Sequence, residues 1–130
     1  MTDRNDLRTP LARVRGLGSA KSGTEHFWQM RLTSVASIPL TIAFIFIVVS
    51  LLGRNQAFAQ QILGTPLVAI VMLLFIITNV HHMWQGMQIV IEDYIHGELP
   101  KFSLLIANTL FCFAVGLACA YALFKLSFGL

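Results

Sequence analysis

The chain has 130 residues, 56% of them hydrophobic and only 12% charged, with mean hydropathy +0.73 and a formal net charge of +3. An ordinary soluble domain carries about 25% charged residues, so there is too little polar surface to cover a water-facing globule, and the composition predicts an all-α integral membrane protein. Six of the nine basic residues (Arg4, Arg8, Arg13, Arg15, Lys21, Arg31) precede the first long apolar run, and a basic block in that place is read as membrane topology rather than as a nucleic-acid surface.

Residues 1–30 are polar and basic, contain Gly16, Gly18 and Gly23, and are predicted to form an extended or partly ordered cytoplasmic arm. The remaining residues, 31–130, form the membrane domain. No charged segment followed by a short apolar run opens the chain, so no ordinary signal peptide is predicted. Ala57-Phe58-Ala59 resembles a signal-peptidase site, but the apolar run before it is long enough to span and the polar arm is longer than the usual charged leader segment.

The first span is predicted over residues 32–52, which as a helix reaches roughly 30 Å, the thickness of the hydrocarbon core. Pro39 lacks a donor and should kink it locally. Gly53-Arg54-Asn55-Gln56 breaks the run, and a short amphipathic turn follows over residues 57–63. Thr65 and Pro66 then supply an N-cap and a first helical residue for a second span over residues 66–94. Its first half is continuously apolar, whereas its second half carries Thr78, Asn79, His81, His82, Gln85 and Gln88. That half should face protein, cofactor or water rather than lipid.

Gly97 and Pro100 are expected to end this helix, with Glu98 and Lys101 in the connection. The third span, over residues 102–126, is rich in small residues and reads as a packing helix. Cys112 and Cys119 lie seven residues apart in it, about 10 Å on one helix, too far for a disulfide, and are read as small packing residues on a shared face. Three spans with a basic leading arm predict the N-terminus and the loop of residues 92–101 in the cytoplasm and the C-terminus outside.

The chemistry concentrates in the second span. Ionisable groups are expensive in lipid and mark functional sites by default. At about 100° per residue, His82, Gly86, Ile89 and Asp93 share one stripe, and His81 points about 100° away, so the two histidines do not ligate one metal from one side. Imidazole is a good iron ligand, and a residue without a side chain one turn away leaves room for a macrocycle. A low-spin haem takes two axial ligands, and the other spans offer no suitable histidine or methionine, so the second ligand would come from another polypeptide. The same residues are also compatible with an interhelical hydrogen-bonding histidine beside a packing notch. Asp93-Tyr94, about 18 Å along the axis from His82, could serve a quinone head group, which takes up two protons on reduction; an interfacial anchor and a solvated carboxylate are the alternative.

His82-x-x-x-Gly86-x-x-x-x-x-x-Asp93-Tyr94, late in the second of three spans, resembles the small hydrophobic anchor subunit of succinate dehydrogenase, respiratory Complex II. The segment Gly18-Ser19-Ala20-Lys21-Ser22-Gly23-Thr24-Glu25-His26-Phe27-Trp28-Gln29-Met30-Arg31 looks like the pre-span segment of bacterial members, and length, span count and orientation fit.

The resemblance implies a subunit of a succinate:quinone oxidoreductase in the bacterial inner membrane, with no succinate-oxidising site of its own. It implies that the chain holds the flavoprotein and iron–sulfur subunits to the bilayer. His82 would ligate a b-type haem shared with the cytochrome b subunit, which would supply the second imidazole. Gly86 would make room for the ring, and Arg31 and His26 would lie near its propionates. Tyr94, with Asp93 beside it, would bind ubiquinone. Only His82 has the right register to Gly86 and Asp93-Tyr94, so it is preferred to His81. An anchor of fumarate reductase is the alternative within this class. Outside it stands a non-redox membrane protein that uses the polar second helix as a proton or substrate path.

Overall fold

A computed structural model describes residues 23–129 together with Thr9 and Leu11, so most of the basic arm lies outside the described residues. The described chain forms four helices: α1 (Gly23–Leu51), α2 (Gln56–Leu63), α3 (Pro66–Tyr94) and α4 (Glu98–Ser127). Three of these, α1, α3 and α4, are long and apolar enough to cross a membrane.

The first helix begins at Gly23 rather than near residue 32, so the last turns of the expected arm are helical. Glu25 in the first turn complements the positive helix end, and the mixed polar and aromatic residues 24–31 extend the helix beyond the continuous apolar run. At 29 residues α1 is about 43 Å long, more than the hydrocarbon core requires, and it runs unbroken through Pro39. The chain turns away beyond its end at Gly53, whose φ of 72° is a left-handed conformation that other residues adopt at a cost.

Asn55 then caps α2, its side-chain oxygen accepting from Phe58 N at 3.0 Å, and the Arg54 guanidinium lies over the Phe58 ring. The closing residue, Gly64, is required by close approach: a Cβ there would stand 2.8 Å from Gln60 O and 3.1 Å from Ser127 O. Ser127 donates its hydroxyl to Leu63 O at 2.8 Å, tying the amphipathic α2 to the end of α4.

Thr65 occupies the N-cap position of α3 and Pro66 its first turn, but the Thr65 side chain makes no cap bond; its hydroxyl turns back to Gln61 O at 3.2 Å. The other end of α3 corrects the expected connection. The helix stops at Tyr94, Gly97 is the N-cap of α4, and Glu98, Pro100 and Lys101 all lie in the first turn of α4 rather than in a loop. A proline there costs nothing in hydrogen bonding, because the first N–H groups of a helix have no intrahelical acceptor. Lys101 reaches back to donate to Glu92 O at 3.1 Å, bracing the turn.

In space α3 is the middle helix. It packs against α1 along one side and against α4 along the other, while α1 and α4 hardly touch. A thin layer of this kind buries little. Among the described residues the buried apolar side chains are Leu63, Ile91, Cys112 and Leu123, and two polar residues, Gln85 and Asn108, are buried with them. Large apolar side chains such as Phe46 and Phe113 face outward, as expected where lipid or another membrane subunit is the solvent. Gly116 lets α4 approach α3, with its Cβ position 3.3 Å from Val80 Cγ1. The two cysteines part company: both are free thiols, Cys112 buried and Cys119 exposed.

Candidate functional site

The polar half of α3 is held by side chains rather than left to lipid. Towards α1, His82 Nδ1 lies 3.1 Å from Thr33 Oγ1, and Gln85 Nε2 donates to Gln29 Oε1 at 3.1 Å. Gln29 in turn donates to Glu25 Oε1 at 3.4 Å. Deeper along the same antiparallel pair, Phe44 and Phe75 stack with centroids 4.3 Å apart and planes 5° from parallel. Towards α4, Trp84 Nε1 donates to Thr109 Oγ1 at 3.1 Å, Asn108 Nδ2 donates to the Trp84 carbonyl at 3.0 Å, and the Cys112 thiol reaches Asn108 Oδ1 at 3.4 Å. Each polar contact is worth more here than in water, since an unpaired polar group in an apolar medium is costly.

These contacts separate the two neighbouring histidines. His82 turns to the α1 side. Its Nε2 has no hydrogen-bond partner among the described residues and is not buried, so the nitrogen opens to the surface of the chain. One turn on, a Cβ at Gly86 would meet nothing within 4 Å. The notch is therefore not filled by this chain's own helices, which removes intrachain packing as the reason for a glycine there. His81 instead lies in an apolar groove of about 400 Å³ between α3 and α4, with Leu73, Val80, Cys112 and Leu117 among the lining residues. Its ring sits 5.7 Å from that of Trp84 and its Nδ1 is buried without a partner.

Asp93 and Tyr94 end α3 and are both exposed. They diverge. Asp93 continues the His82–Gly86 stripe, whereas Tyr94 falls about 100° round the helix. There it lines a second groove, of about 460 Å³, with Met83, Met87, Val90, Leu104 and Phe111. The phenol thus stands at the mouth of an apolar trough, and the carboxylate stands beside it on the adjoining face. Glu92, the neighbouring acid, is engaged by Gln88 Nε2 at 2.8 Å.

The two residues expected near propionates behave differently. His26 lies two turns before Thr33 on the same face of α1, and its Nε2 is buried without a partner. Arg31 lies about 160° round the helix from Thr33, and its guanidinium rests over the Phe27 ring at 4.5 Å. The structure brings His26 to the face that carries the His82 contact and leaves Arg31 on the other.

Sequence reasoning missed Gln29, Thr33, Trp84, Asn108 and Thr109. A signal was present in the spacing of His26, Gln29 and Thr33, which form one face of α1, and of His82 and Gln85, which form one face of α3. Matching the two needs the antiparallel register, which neither segment reveals alone. Among the described residues no three His, Cys, Asp or Glu side chains group as a metal site. A porphyrin iron, already held by four ring nitrogens, asks only for single axial ligands.

Comparison with known proteins adds the following. The family model described as succinate dehydrogenase/fumarate reductase transmembrane subunit matches residues 5–122. A succinate dehydrogenase hydrophobic membrane anchor subunit of Paracoccus denitrificans is 36% identical over 121 residues, covering 93% of each chain. The protein of the same name from Rickettsia bellii is 29% identical over 119 residues, 92% of this chain and 95% of that one. A succinate dehydrogenase membrane anchor subunit of Reclinomonas americana is 28% identical over 84 residues, covering 62% of this chain and 70% of its own. No solved structure matches the chain.

Proposed function

The chain belongs to the succinate dehydrogenase/fumarate reductase transmembrane subunit family, and from that footing we propose that it holds the flavoprotein and iron–sulfur subunits of a succinate dehydrogenase to the membrane. It shares a b-type haem with a cytochrome b subunit and forms part of a ubiquinone reduction site. The observation that carries the haem assignment is His82 Nε2, unpartnered and open, one turn from a glycine whose outer space this chain leaves empty. A neutral imidazole nitrogen with a free lone pair is the donor that iron of this kind takes, and Gly86 lets a flat ring lie close to the helix.

His82 would be the axial ligand from this chain, with the second imidazole supplied by the cytochrome b subunit. A haem held there would supply one-electron storage between the iron–sulfur subunit and the quinone. Gly86 excludes nothing from the ring face, and His26, on the shared α1 face with an orphaned Nε2, is the better placed of the two residues assigned to a propionate; Arg31 would have to leave Phe27 to join it. Tyr94 donates its phenol to a quinone carbonyl, and Asp93, exposed at the helix end, keeps water and protons at hand. The apolar trough below Tyr94 suits the isoprenoid part of such a substrate. The three apolar helices fit a multi-pass protein, which we place in the bacterial inner membrane, and the basic arm favours an N-terminus in the cytoplasm, the side from which electrons would arrive.

The decisive experiment is a reduced-minus-oxidised spectrum of the purified complex. His82→Ala should abolish the b-type signal and His81→Ala should retain it; the reverse pattern would overturn the ligand assignment. The alternative is a fumarate reductase anchor, but the three relatives above bear succinate dehydrogenase names. The non-redox alternative needs a continuous polar path along α3. Gln85 and Trp84 are instead used as cross-helix ties, which disfavours it.

A further inference from the structure

We propose that Thr33 is a positioning residue for the haem ligand: its hydroxyl fixes the tautomer and ring orientation of His82 so that Nε2 presents its lone pair outward. The inference rests on the reading of His82 as the axial ligand.

The argument is a count of protons. Thr33 Oγ1 lies 2.8 Å from Gln29 O and 3.0 Å from Met30 O. Both carbonyls only accept, so the single hydroxyl proton is directed to them, shared between the last turn's two oxygens. What Oγ1 has left for His82 Nδ1, at 3.1 Å, is a lone pair. In that arrangement Nδ1 is the protonated nitrogen and donates to Oγ1. A neutral imidazole carries one N–H, so Nε2 is bare. That is the nitrogen with no partner and an open outer side. In the alternative tautomer the hydroxyl would give up both carbonyls to donate to Nδ1, and an N–H would point where a metal is to bind.

Position supports the same role. Thr33 is on α1 and His82 on α3, so the contact also fixes the ring against rotation about its own side chain, and Gln29–Gln85 one turn away holds the two helices in that register. A ligand imidazole with its far N–H bonded to oxygen is more basic and better oriented, and removing such a partner typically weakens metal binding about 10–100-fold.

The test uses the assembled complex with three variants at one position. Thr33→Val keeps the branched shape and removes the acceptor; Thr33→Ser keeps the acceptor and removes the methyl; Thr33→Ala is read against the same criteria if the valine variant does not assemble. Two quantities are measured: haem retained against an excess of apomyoglobin, and the midpoint potential of the b-type signal. Thr33→Val should lose haem about 10–100-fold more readily and should raise the potential, because a less basic ligand favours the oxidised iron less. Thr33→Ser should match the wild type in both. Unchanged retention and potential in Thr33→Val would overturn the proposal, as would equal losses in the serine and valine variants or failure of all three to assemble, either of which marks a packing residue. His82→Ala serves as the reference: a normal haem signal in that variant sinks the ligand assignment itself, whatever the Thr33 variants do.

Discussion

Gly86 separates a packing explanation from a cofactor explanation more cleanly than any other residue. Because a Cβ there meets nothing within 4 Å, Gly86→Leu should leave the helices of this chain in place while obstructing anything laid flat against α3. The expected result is a complex that still assembles in the membrane but has lost most of its b-type absorbance; full haem content in Gly86→Leu would show that the space serves something else. Tyr94 offers a second residue-scale test. The residue is 76% exposed and lines an apolar trough, so Tyr94→Phe removes a donor without disturbing a core. Quinone reductase activity should fall by tenfold or so, the size of one lost hydrogen bond to a reacting oxygen at about 1.4 kcal/mol per factor of ten, while succinate oxidation by an artificial acceptor is spared. Equal loss of both would point to assembly instead. His82, Gly86, Asp93 and Tyr94 were legible in the sequence because they lie within four turns of one helix and a helical repeat of about 100° per residue fixes their relative directions. Thr33 and Gln29 were not. Their meaning depends on a partner 49 and 56 residues away in the chain, and a threonine in an apolar span is otherwise unremarkable.

At the scale of elements, the three spans were readable from apolar run length alone, and Pro66 marked the start of α3 as a proline at a first turn should. The ends that misled were those where polar residues continue a helix. Residues 23–31 extend α1 although Glu25, His26, Gln29 and Arg31 interrupt the apolar run there, and Pro100, expected as a terminator, sits harmlessly in the first turn of α4. The contact between α3 and α4 is set by Gly116, where a Cβ would already stand 3.3 Å from Val80 Cγ1. Gly116→Ala should therefore be tolerated with small adjustment. Gly116→Leu would force the helices apart at a typical overpacking cost of about 1–3 kcal/mol, and would strain the Trp84–Thr109 and Asn108–Trp84 bonds two turns away. Thermal denaturation of the detergent-solubilised complex, followed by loss of the quinone reductase activity, should rank wild type and alanine close together and leucine clearly below; a leucine variant as stable as the wild type would show that this contact is slack.

For the whole molecule, orientation is the property with most consequence, since it decides whether Tyr94 faces the compartment in which succinate is oxidised. On the proposed reading the basic arm keeps the N-terminus and the α3–α4 turn in the cytoplasm. Alkaline phosphatase fused after residue 129 should be active and a fluorescent protein fused there should be dark; the opposite pair of results would put Asp93 and Tyr94 on the other side of the membrane and overturn their proposed quinone role. The middle position of α3 has a further consequence, for biogenesis. The order of the helices across the layer, α1 then α3 then α4, is also the order in which a ribosome makes them, so each span emerges from the translocon beside the partner it will keep. The glutamine and threonine of α1 are already in the bilayer when His82 and Gln85 arrive, and Trp84 is in place before Asn108 and Thr109 need it. Each later helix therefore finds its polar partners already in the bilayer, so the wait of Gln29 for Gln85 and of Trp84 for Thr109 lasts for one helix only, and the slab can be laid down one neighbour at a time.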